Sequence, residues 1–390
     1  MIRPNKARLV TNGATRVRRN RRRVARWGLA LVTSLFVLVG GVVKAHSWAL
    51  PRRLSTARVT STATSITLPT STSHPFARPT LQAGIAFPRW VPDAYGPRDT
   101  SWVDGLHDLQ RQTGARWVEL VFTLYQDRQT STSVHRGPFS STPQALAAGV
   151  VAAHSLGLKV FVVPHLVYGH GRWGGLVRLS TTSRERAWFN SYWVALRPYL
   201  QAAAQVGTEQ FALGNEYVTL EPAPAELWVT LVARAHRVYA GALTYNLNHD
   251  SLIDRSWMHD SRLTYLGVSM YRSLAPQPLQ RTLSQLQGVW RRDVLPLLNR
   301  FSAATGKPLL LSEIGYKNSR DALYNPWQHT TSAPLDPQLQ AHAYEAAVRA
   351  VFGDRRIEGL YFWAWSNDRF APNDQPAAKV LHRLYLSPAA

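Results

Sequence analysis

The chain has 390 residues, 45% hydrophobic and 11% aromatic, which is enough for a sizeable core and excludes disorder throughout. It has no cysteine, which excludes disulfide bonds and thiolate metal sites. The net charge of +22 is concentrated at the amino terminus, since residues 1–92 contain sixteen Lys and Arg and no Asp or Glu. The remainder is only mildly basic, so the charge does not indicate nucleic-acid binding, and no nucleic-acid partner is expected.

The amino-terminal region is predicted to carry the protein to a membrane. Residues 1–26 read as a basic cytoplasmic tail, and residues 27–46 as a transmembrane signal-anchor. Its apolar run, Trp27–Val43, has seventeen uncharged residues and would span about 25 Å as a helix. A basic flank before the apolar run predicts that the rest of the chain lies outside the cell. A cleaved signal peptide, giving a secreted protein, is the alternative. Residues 47–80, rich in Ser, Thr and Pro, are predicted to be a disordered linker.

Residues 81–390 are predicted to form a single (β/α)8 TIM-barrel domain. Short apolar runs alternate with amphipathic helices, and glycines such as Gly114 and Gly306 end helical stretches just before a strand. A doubly wound open sheet is the alternative, but no glycine-rich phosphate loop follows the first strand. The fifth helix is expected to be short, because only residues 248–262 separate the fifth and sixth strands. The eight predicted strands are Ala83–Phe87, Arg116–Leu124, Lys159–Leu166, Glu209–Gly214, Ala242–Leu247, Leu263–Met270, Pro308–Ser312 and Ile357–Trp365.

Two glutamates follow buried strands that lie on opposite sides of such a barrel. Glu216 comes just after the fourth predicted strand and Glu313 just after the seventh. Paired carboxyl groups across a sugar bond are the apparatus of glycoside cleavage; a spacing of about 5–5.5 Å gives retention and about 6.5–9.5 Å inversion. We assign Glu313 as nucleophile and Glu216 as general acid and then base, with Asn215 placed to contact a sugar hydroxyl. This chemistry needs no cofactor, and no metal-binding spacing is present.

Aromatic and polar side chains near the strand ends are candidates for sugar contacts. Trp363 and Trp365 share one face with Tyr361 if the strand period of two holds to the end of the eighth strand. Large aromatic rings usually fill a core, and a histidine at a strand end is usually structural. Each of these side chains can therefore either pack in the core or contact a sugar, and both interpretations stay open. The candidates that follow other strands or lie in loops are Trp90, Trp173, Trp327 and His165. A polar cluster after the fifth strand contains Asn246, Asn248, His249 and Asp250.

These motifs resemble the clan A glycoside hydrolases. The stretches GNEY, LGVSMY, LLLSEIGY and FWAW, between about residues 83 and 384, are most similar to glycoside hydrolase family 113, the β-mannanase type. The resemblance implies Glu216 as acid/base, Glu313 as nucleophile and Asn215 as the contact of the sugar 2-hydroxyl. It also implies that Tyr271 hydrogen-bonds the nucleophile and that Trp363 forms the floor under the sugar.

The sequence therefore predicts a retaining β-glycoside hydrolase acting on mannan-like β-linked polysaccharide. One departure from the family pattern is Ser269-Met270-Tyr271, where a more polar run such as Asp-Ala-Tyr is expected. Two alternatives remain: a clan A hydrolase of another β-glycan, such as galactan or an exopolysaccharide, and a non-catalytic carbohydrate-binding barrel. The expected partners are the glycan and, through the amino-terminal segment, a membrane; we expect a monomer.

Overall fold

Eight parallel strands close into a ring in the computed structural model, which describes residues 81–365 and 368–386. In chain order the strands are β1 (Gln82–Ala86), β2 (Trp117–Gln126), β3 (Lys159–Tyr168), β4 (Arg172–Trp173), β5 (Gln210–Asn215), β6 (Ala242–Asn248), β7 (Leu266–Ser269), β8 (Leu309–Ile314) and β9 (Ile357–Phe362). All except β4 belong to the ring, which closes through the pairing of β2 with β3. The predicted TIM barrel is confirmed and the open sheet is excluded.

The short strand β4 lies outside the ring. It pairs antiparallel with the end of β3, with Val167 opposite Trp173 and Tyr168 opposite Arg172. The third strand was predicted to end at Leu166, so the extension of β3 to Tyr168 and its pairing with β4 are a correction. Two glycines at its tip, Gly169 and Gly171, have positive φ of 56° and 84°, which lets the chain reverse within a few residues.

Helices cover the outside of the ring. They are α1 (Thr100–Thr113), α2 (Pro143–Ser155), α3 (Thr182–Gln205), α4 (Ala225–His236), α5 (Leu283–Val289), α6 (Leu295–Thr305), α7 (Pro337–Phe352) and α8 (Pro376–Leu386). Thr142 caps α2 by accepting a hydrogen bond from the Ala145 N–H, with Pro143 in the first turn. A π-helical turn, Trp290–Val294, joins α5 to α6. Between β6 and β7 there is one 3-10 turn, Ser256–His259, so the expected short fifth connection is confirmed.

Two strand predictions were too long. The predicted sixth strand begins at Leu263, whereas β7 begins at Leu266 and Leu263 forms only an isolated bridge with Leu243. The predicted eighth strand extends to Trp365, whereas β9 ends at Phe362, and the Trp363–Ala364 peptide bond is cis. Both errors come from apolar runs that continue beyond the hydrogen-bonded ladder.

Apolar side chains form two layers. The larger one lies between the strands and the helices and contains outward-facing residues such as Val118, Leu120 and Phe362. The smaller one fills the barrel interior, with Val121, Phe161, Tyr361 and Trp363 among its members. The alternation of strand side chains separates the two layers.

The predicted tail, transmembrane segment and linker, residues 1–80, lie outside the described residues. Among the residues that are described, no helix is both long enough and apolar enough to cross a bilayer.

Candidate active site

Glu216 and Glu313 lie at the same end of the barrel. Glu216 directly follows β5, and its backbone N–H donates to the carbonyl oxygen of Asn246 on β6 (2.8 Å). Glu313 lies near the end of β8, in register with Ser269 of β7. Because the eight strands run in parallel, both carboxyl groups are carried by the carboxyl ends of strands, where barrels of this kind place their chemistry.

The backbone at Glu216 turns sharply. Its φ of 58° is in the left-handed region, which is unfavourable for a residue with a Cβ atom. The chain that follows Glu216 is held in place, since the Tyr217 N–H donates to the Tyr245 hydroxyl (2.9 Å) and the Val218 N–H donates to the Glu216 carbonyl (2.8 Å). Backbone outliers of this kind cluster at functional sites, where the surrounding structure holds them.

Glu313 is almost fully buried and surrounded by polar groups. Its Oε1 accepts a hydrogen bond from the Asn215 side-chain amide (2.9 Å) and lies 3.3 Å from Nε2 of His165. Its Oε2 accepts one from the Tyr271 hydroxyl (3.2 Å). Donors directed at both oxygens of a buried carboxyl group favour its ionised form, which is the form that a nucleophile requires.

Glu216 has a different environment and a strongly raised pKa. Burial raises the pKa of this carboxyl group from 4.5 to about 8, and the charge of Glu313 adds to the rise. Hydrogen bonds from Trp173 Nε1 (2.9 Å) and Asn248 Nδ2 (3.0 Å), together with the nearby Ser269 side chain, act in the opposite direction but do not cancel it. With a pKa near 8, Glu216 carries a proton at neutral pH and can donate it.

The two glutamates therefore form an unlike pair. Glu313 is supported as a carboxylate, whereas Glu216 is held as a carboxylic acid, and the charge of the first stabilises the proton on the second. Two carboxyl groups in environments that separate their protonation states are the pattern by which one residue type serves as both nucleophile and general acid.

An aromatic wall stands beside Glu313. The Trp363 ring is 4% exposed and stacks on the His165 ring, with centroids 5.4 Å apart and planes 7° from parallel. Trp90 lies next to both, with centroids 6.0 Å from His165 and 6.4 Å from Trp363. Trp90 itself is 38% exposed, so its ring remains available to a ligand.

Trp173 and Trp327 reach the site from two loops. Trp173, on the β3–β4 hairpin, is 40% exposed and donates a hydrogen bond to Glu216. Trp327, in the loop after β8, is 37% exposed and lies 6.2 Å from the ring of His249. Together with Trp90 they are the tryptophans that present a large open surface within the described part of the chain.

Trp365 does not join this group. Its buried ring packs with the outer layer between strands and helices, whereas Tyr361 and Trp363 face the barrel interior. The prediction that the three rings share one face was wrong, because β9 ends at Phe362 and strand alternation does not apply beyond it.

Several polar residues at the site had no assigned role in the sequence analysis. Asn248 belongs to the predicted polar cluster and proves to contact Glu216 directly. Ser269, noted only as a departure from the family pattern, lies close enough to Glu216 to lower the pKa of its carboxyl group. The described residues contain no group of three or more His, Asp or Glu side chains that could hold a metal ion.

Glu119 on β2 is a third carboxyl group close to the pair. It is completely buried, it lies two residues before the inward-facing Val121, and neither of its oxygens has a hydrogen-bond partner among the described residues. Burial raises its pKa well above the ordinary value, and the charge of Glu313 contributes. The signal in the sequence was a single charged residue within an otherwise apolar strand, WVELVFTLYQ.

A closed parallel barrel with two paired glutamates at its carboxyl end, one of them with a strongly raised pKa, defines a glycoside hydrolase of the two-carboxylate type. The family model of glycoside hydrolase family 113 matches residues 98–385, and the chain belongs to this family. The comparison with curated proteins gave no significant match.

Solved structures with the same fold include two β-mannanases of family 113. The one from Alicyclobacillus acidocaldarius has 24% sequence identity and a TM-score of 0.69, covering 79% of this chain and 98% of that one. A second, described as a β-1,4-mannanase, has 22% identity and a TM-score of 0.64, covering 79% and 99%. A family 5 mannosidase from Rhizomucor miehei has 12% identity and a TM-score of 0.52, covering 78% and 92%. At these identities the likeness concerns the fold.

Proposed function

We propose that this protein is a retaining β-glycoside hydrolase that cleaves β-linked mannan or mannan-like oligosaccharides. Membership of family 113 and the fold shared with two β-mannanases support the reaction and the substrate class. The observation that carries the mechanism is the pairing of Glu216, with its pKa raised to about 8, with the buried, hydrogen-bonded Glu313.

In the first step Glu313 attacks the anomeric carbon while the bond to the leaving oxygen breaks. Glu216 gives its proton to that oxygen, so no free alkoxide forms. In the second step Glu216, now ionised, takes a proton from a water molecule that attacks the same carbon. The bond to Glu313 breaks, the sugar leaves, and both carboxyl groups return to their starting states.

Other residues are proposed to hold the sugar around this centre. Asn215, already bonded to Glu313, is placed to contact the 2-hydroxyl group, and Trp363 with His165 would form the floor of the subsite. The exposed rings of Trp90, Trp173 and Trp327 suit stacking against neighbouring sugar units.

Glutamine substitutions in the full-length chain test the mechanism. Glu216→Gln and Glu313→Gln should each lower the release of reducing ends from β-1,4-mannan by at least about 10²–10⁴-fold. Glu226→Gln, an exposed glutamate in the first turn of α4, is the matched control and should behave as wild type. Full activity in either active-site variant, with normal circular dichroism, would refute the assignment. Proton NMR of the first product should show the β-anomer, and an α-anomer would refute retention.

A panel that adds β-galactan and an acidic exopolysaccharide to mannan separates the sugar specificities. Binding of an oligosaccharide without any product would instead favour a carbohydrate-binding barrel, the alternative from another class.

We further propose that residues 27–46 anchor the enzyme in the membrane, with the barrel outside the cell. The support is the order of a basic segment, an apolar run and a Ser/Thr/Pro-rich stretch in the sequence. Recovery of full-length protein in the membrane fraction, with the barrel accessible to external protease, is the expected result. A mature amino terminus near Ala45 in the medium would show cleavage and secretion instead.

A further inference from the structure

A cavity of about 310 Å³ opens next to the candidate active site. One wall is residues 272–276, the chain that leaves β7, and the other is residues 289–294 of the helical stretch α5 to α6; Arg281 lies between them. This volume is at the lower end of the range for small-ligand pockets, about 300–1,000 Å³. It gives room for a single sugar unit.

The charges that line the cavity are unbalanced. Three guanidinium groups, those of Arg272, Arg281 and Arg292, face one carboxylate, that of Asp293. Asp293 is already engaged by Arg292, whose Nε and Nη2 lie 3.1 and 2.9 Å from its two oxygens. Two positive charges therefore remain without an acidic partner in the wall.

Arg272 and Arg281 are these two. Neither takes part in any ion pair formed within residues 81–365 and 368–386. In Arg281 the Nε atom is also buried and has no hydrogen-bond partner in the described part of the chain. A buried N–H on a charged group is unfavourable without an acceptor, and a planar guanidinium group matches the two oxygens of a carboxylate or phosphate.

The cavity lies close to the site that holds the glutamates. Arg272 directly follows Tyr271, which donates to Glu313. Burial lowers the pKa of His249, and the charge of Arg272 contributes to that effect, so the two side chains are close in space. His249 in turn lies beside the exposed ring of Trp327.

The loop that carries Trp327 is attached to the cavity wall. The backbone N–H groups of Leu274 and Ala275 donate to the carbonyl oxygen of Leu323 (2.8 and 3.2 Å). A glycan chain that stacks on Trp327 would therefore pass the mouth of the cavity.

We propose that this arginine cavity is a subsite for an anionic group on the glycan, a carboxylate or a phosphate. The inference rests on the proposed function and refines it, since it makes acidic rather than plain β-linked chains the preferred substrate. Arg272 and Arg281 bind the anion, and Arg292 closes the wall while held by Asp293. The group is recognised on a sugar unit beyond the one being cleaved, so it contributes to substrate binding and not to bond cleavage.

The test compares three β-1,4-linked mannan oligosaccharides that differ only in one side group: neutral, carboxylate-bearing as a uronic acid, and phosphate-bearing. For the full-length wild-type chain at low salt, one of the acidic chains should have a KM about tenfold lower than the neutral chain. The difference in KM between the acidic and the neutral chain should become smaller in 0.5 M NaCl, because salt screens exposed charges. Which acidic chain is preferred identifies the anion.

Variants show whether the cavity is responsible. Arg281→Gln should raise KM for the preferred acidic chain about tenfold, with kcat for that chain nearly constant. Arg291→Gln is the matched control, because Arg291 is an exposed arginine on the π-helical turn that carries Arg292 and does not line the cavity. The Arg291→Gln variant should keep the lower KM for the acidic chain relative to the neutral chain.

The failure of this inference is distinct from that of the proposed function. Cleavage of all three chains with equal KM would overturn the subsite and leave the hydrolase intact. If no chain is cleaved, calorimetric binding to the Glu313→Gln variant decides, since it needs no turnover. Tighter binding of an acidic chain than of the neutral one, lost in Arg281→Gln, would support the cavity, and equal binding would overturn it.

Discussion

The hydrogen bond from Trp173 to Glu216 offers a direct test of which glutamate donates the proton. Trp173→Phe keeps an aromatic ring on the β3–β4 hairpin but removes Nε1, which lies 2.9 Å from the Glu216 carboxyl oxygen. That N–H stabilises the ionised form, so its loss should raise the pKa of Glu216 above about 8.

The size of the shift follows from the hydrogen bond. A hydrogen bond to a charged group contributes about 1.5–3 kcal/mol, but the Trp173 ring is 40% exposed and water can replace part of it. A discounted value of about 1 kcal/mol corresponds to roughly 0.7 pKa unit, because one unit equals about 1.36 kcal/mol. The active form is the protonated one, so activity is lost as the pH rises through this pKa. The variant should therefore stay active to higher pH.

The assay is the pH dependence of kcat/KM, which reports the pKa values of the free enzyme. In wild type the alkaline limb should fall near pH 8, and in Trp173→Phe it should lie roughly half a unit to one unit higher. Trp327→Phe is the control, because Trp327 is similarly exposed but makes no hydrogen bond to either glutamate. Trp327→Phe can change the magnitude of kcat/KM, but it should leave the pH at which the alkaline limb falls unchanged. An unmoved or lowered limb in Trp173→Phe would refute Glu216 as the acid.

Three other substitutions test the surroundings of the site. Tyr271→Phe removes a donor from Glu313 and should lower kcat about tenfold or more with mannan, since a bond to a charged group is lost; unchanged kcat would contradict that role. Glu119→Gln should raise Tm at pH 8 but not at pH 4. Because the folded-state pKa of Glu119 is raised, the wild type loses stability as the pH rises above the ordinary glutamate value of 4.5. An equal gain in Tm at both pH values would contradict this. Gly267→Ala should lower the Tm measured by scanning calorimetry, because the added Cβ would overlap the side-chain oxygen of Asn246. Each kcal/mol of lost stability corresponds to a Tm decrease of about 2–4 °C. An unchanged Tm would show that the barrel interior can rearrange to accept the methyl group.

The barrel could be predicted because its signals are local. The three leucines that begin β8, Leu309–Leu311, are apolar on both faces, as a strand enclosed between a packed interior and a helical layer must be. Gly114 and Gly306 take left-handed conformations at helix ends, φ of 68° and 67°, which marks where each helix gives way to a strand. With the order of strands fixed, the topology alone brings Glu216 and Glu313 to one end.

What the sequence could not provide are contacts between distant segments. The bond from Trp173 to Glu216 joins residues 43 positions apart and depends on a two-residue strand that no periodic pattern marks. The side on which Trp365 packs depends on where the hydrogen bonding of β9 ends. The sequence does not mark that end, because the apolar residues continue past Phe362. The arginine cavity likewise joins residues that leave β7 with residues of a later helix.

In the proposed mechanism, the pairing of the two glutamates would let Glu216 act first as an acid and then as a base. The negative charge of Glu313 contributes to the raised pKa of Glu216 in the resting enzyme. When Glu313 becomes bonded to the sugar, that charge is neutralised and its contribution disappears. The pKa of Glu216 then falls, while the hydrogen bonds from Trp173 and Asn248 remain and favour its ionised form. In the proposed mechanism Glu216 is therefore protonated when the leaving oxygen needs a proton and ionised when the attacking water must lose one.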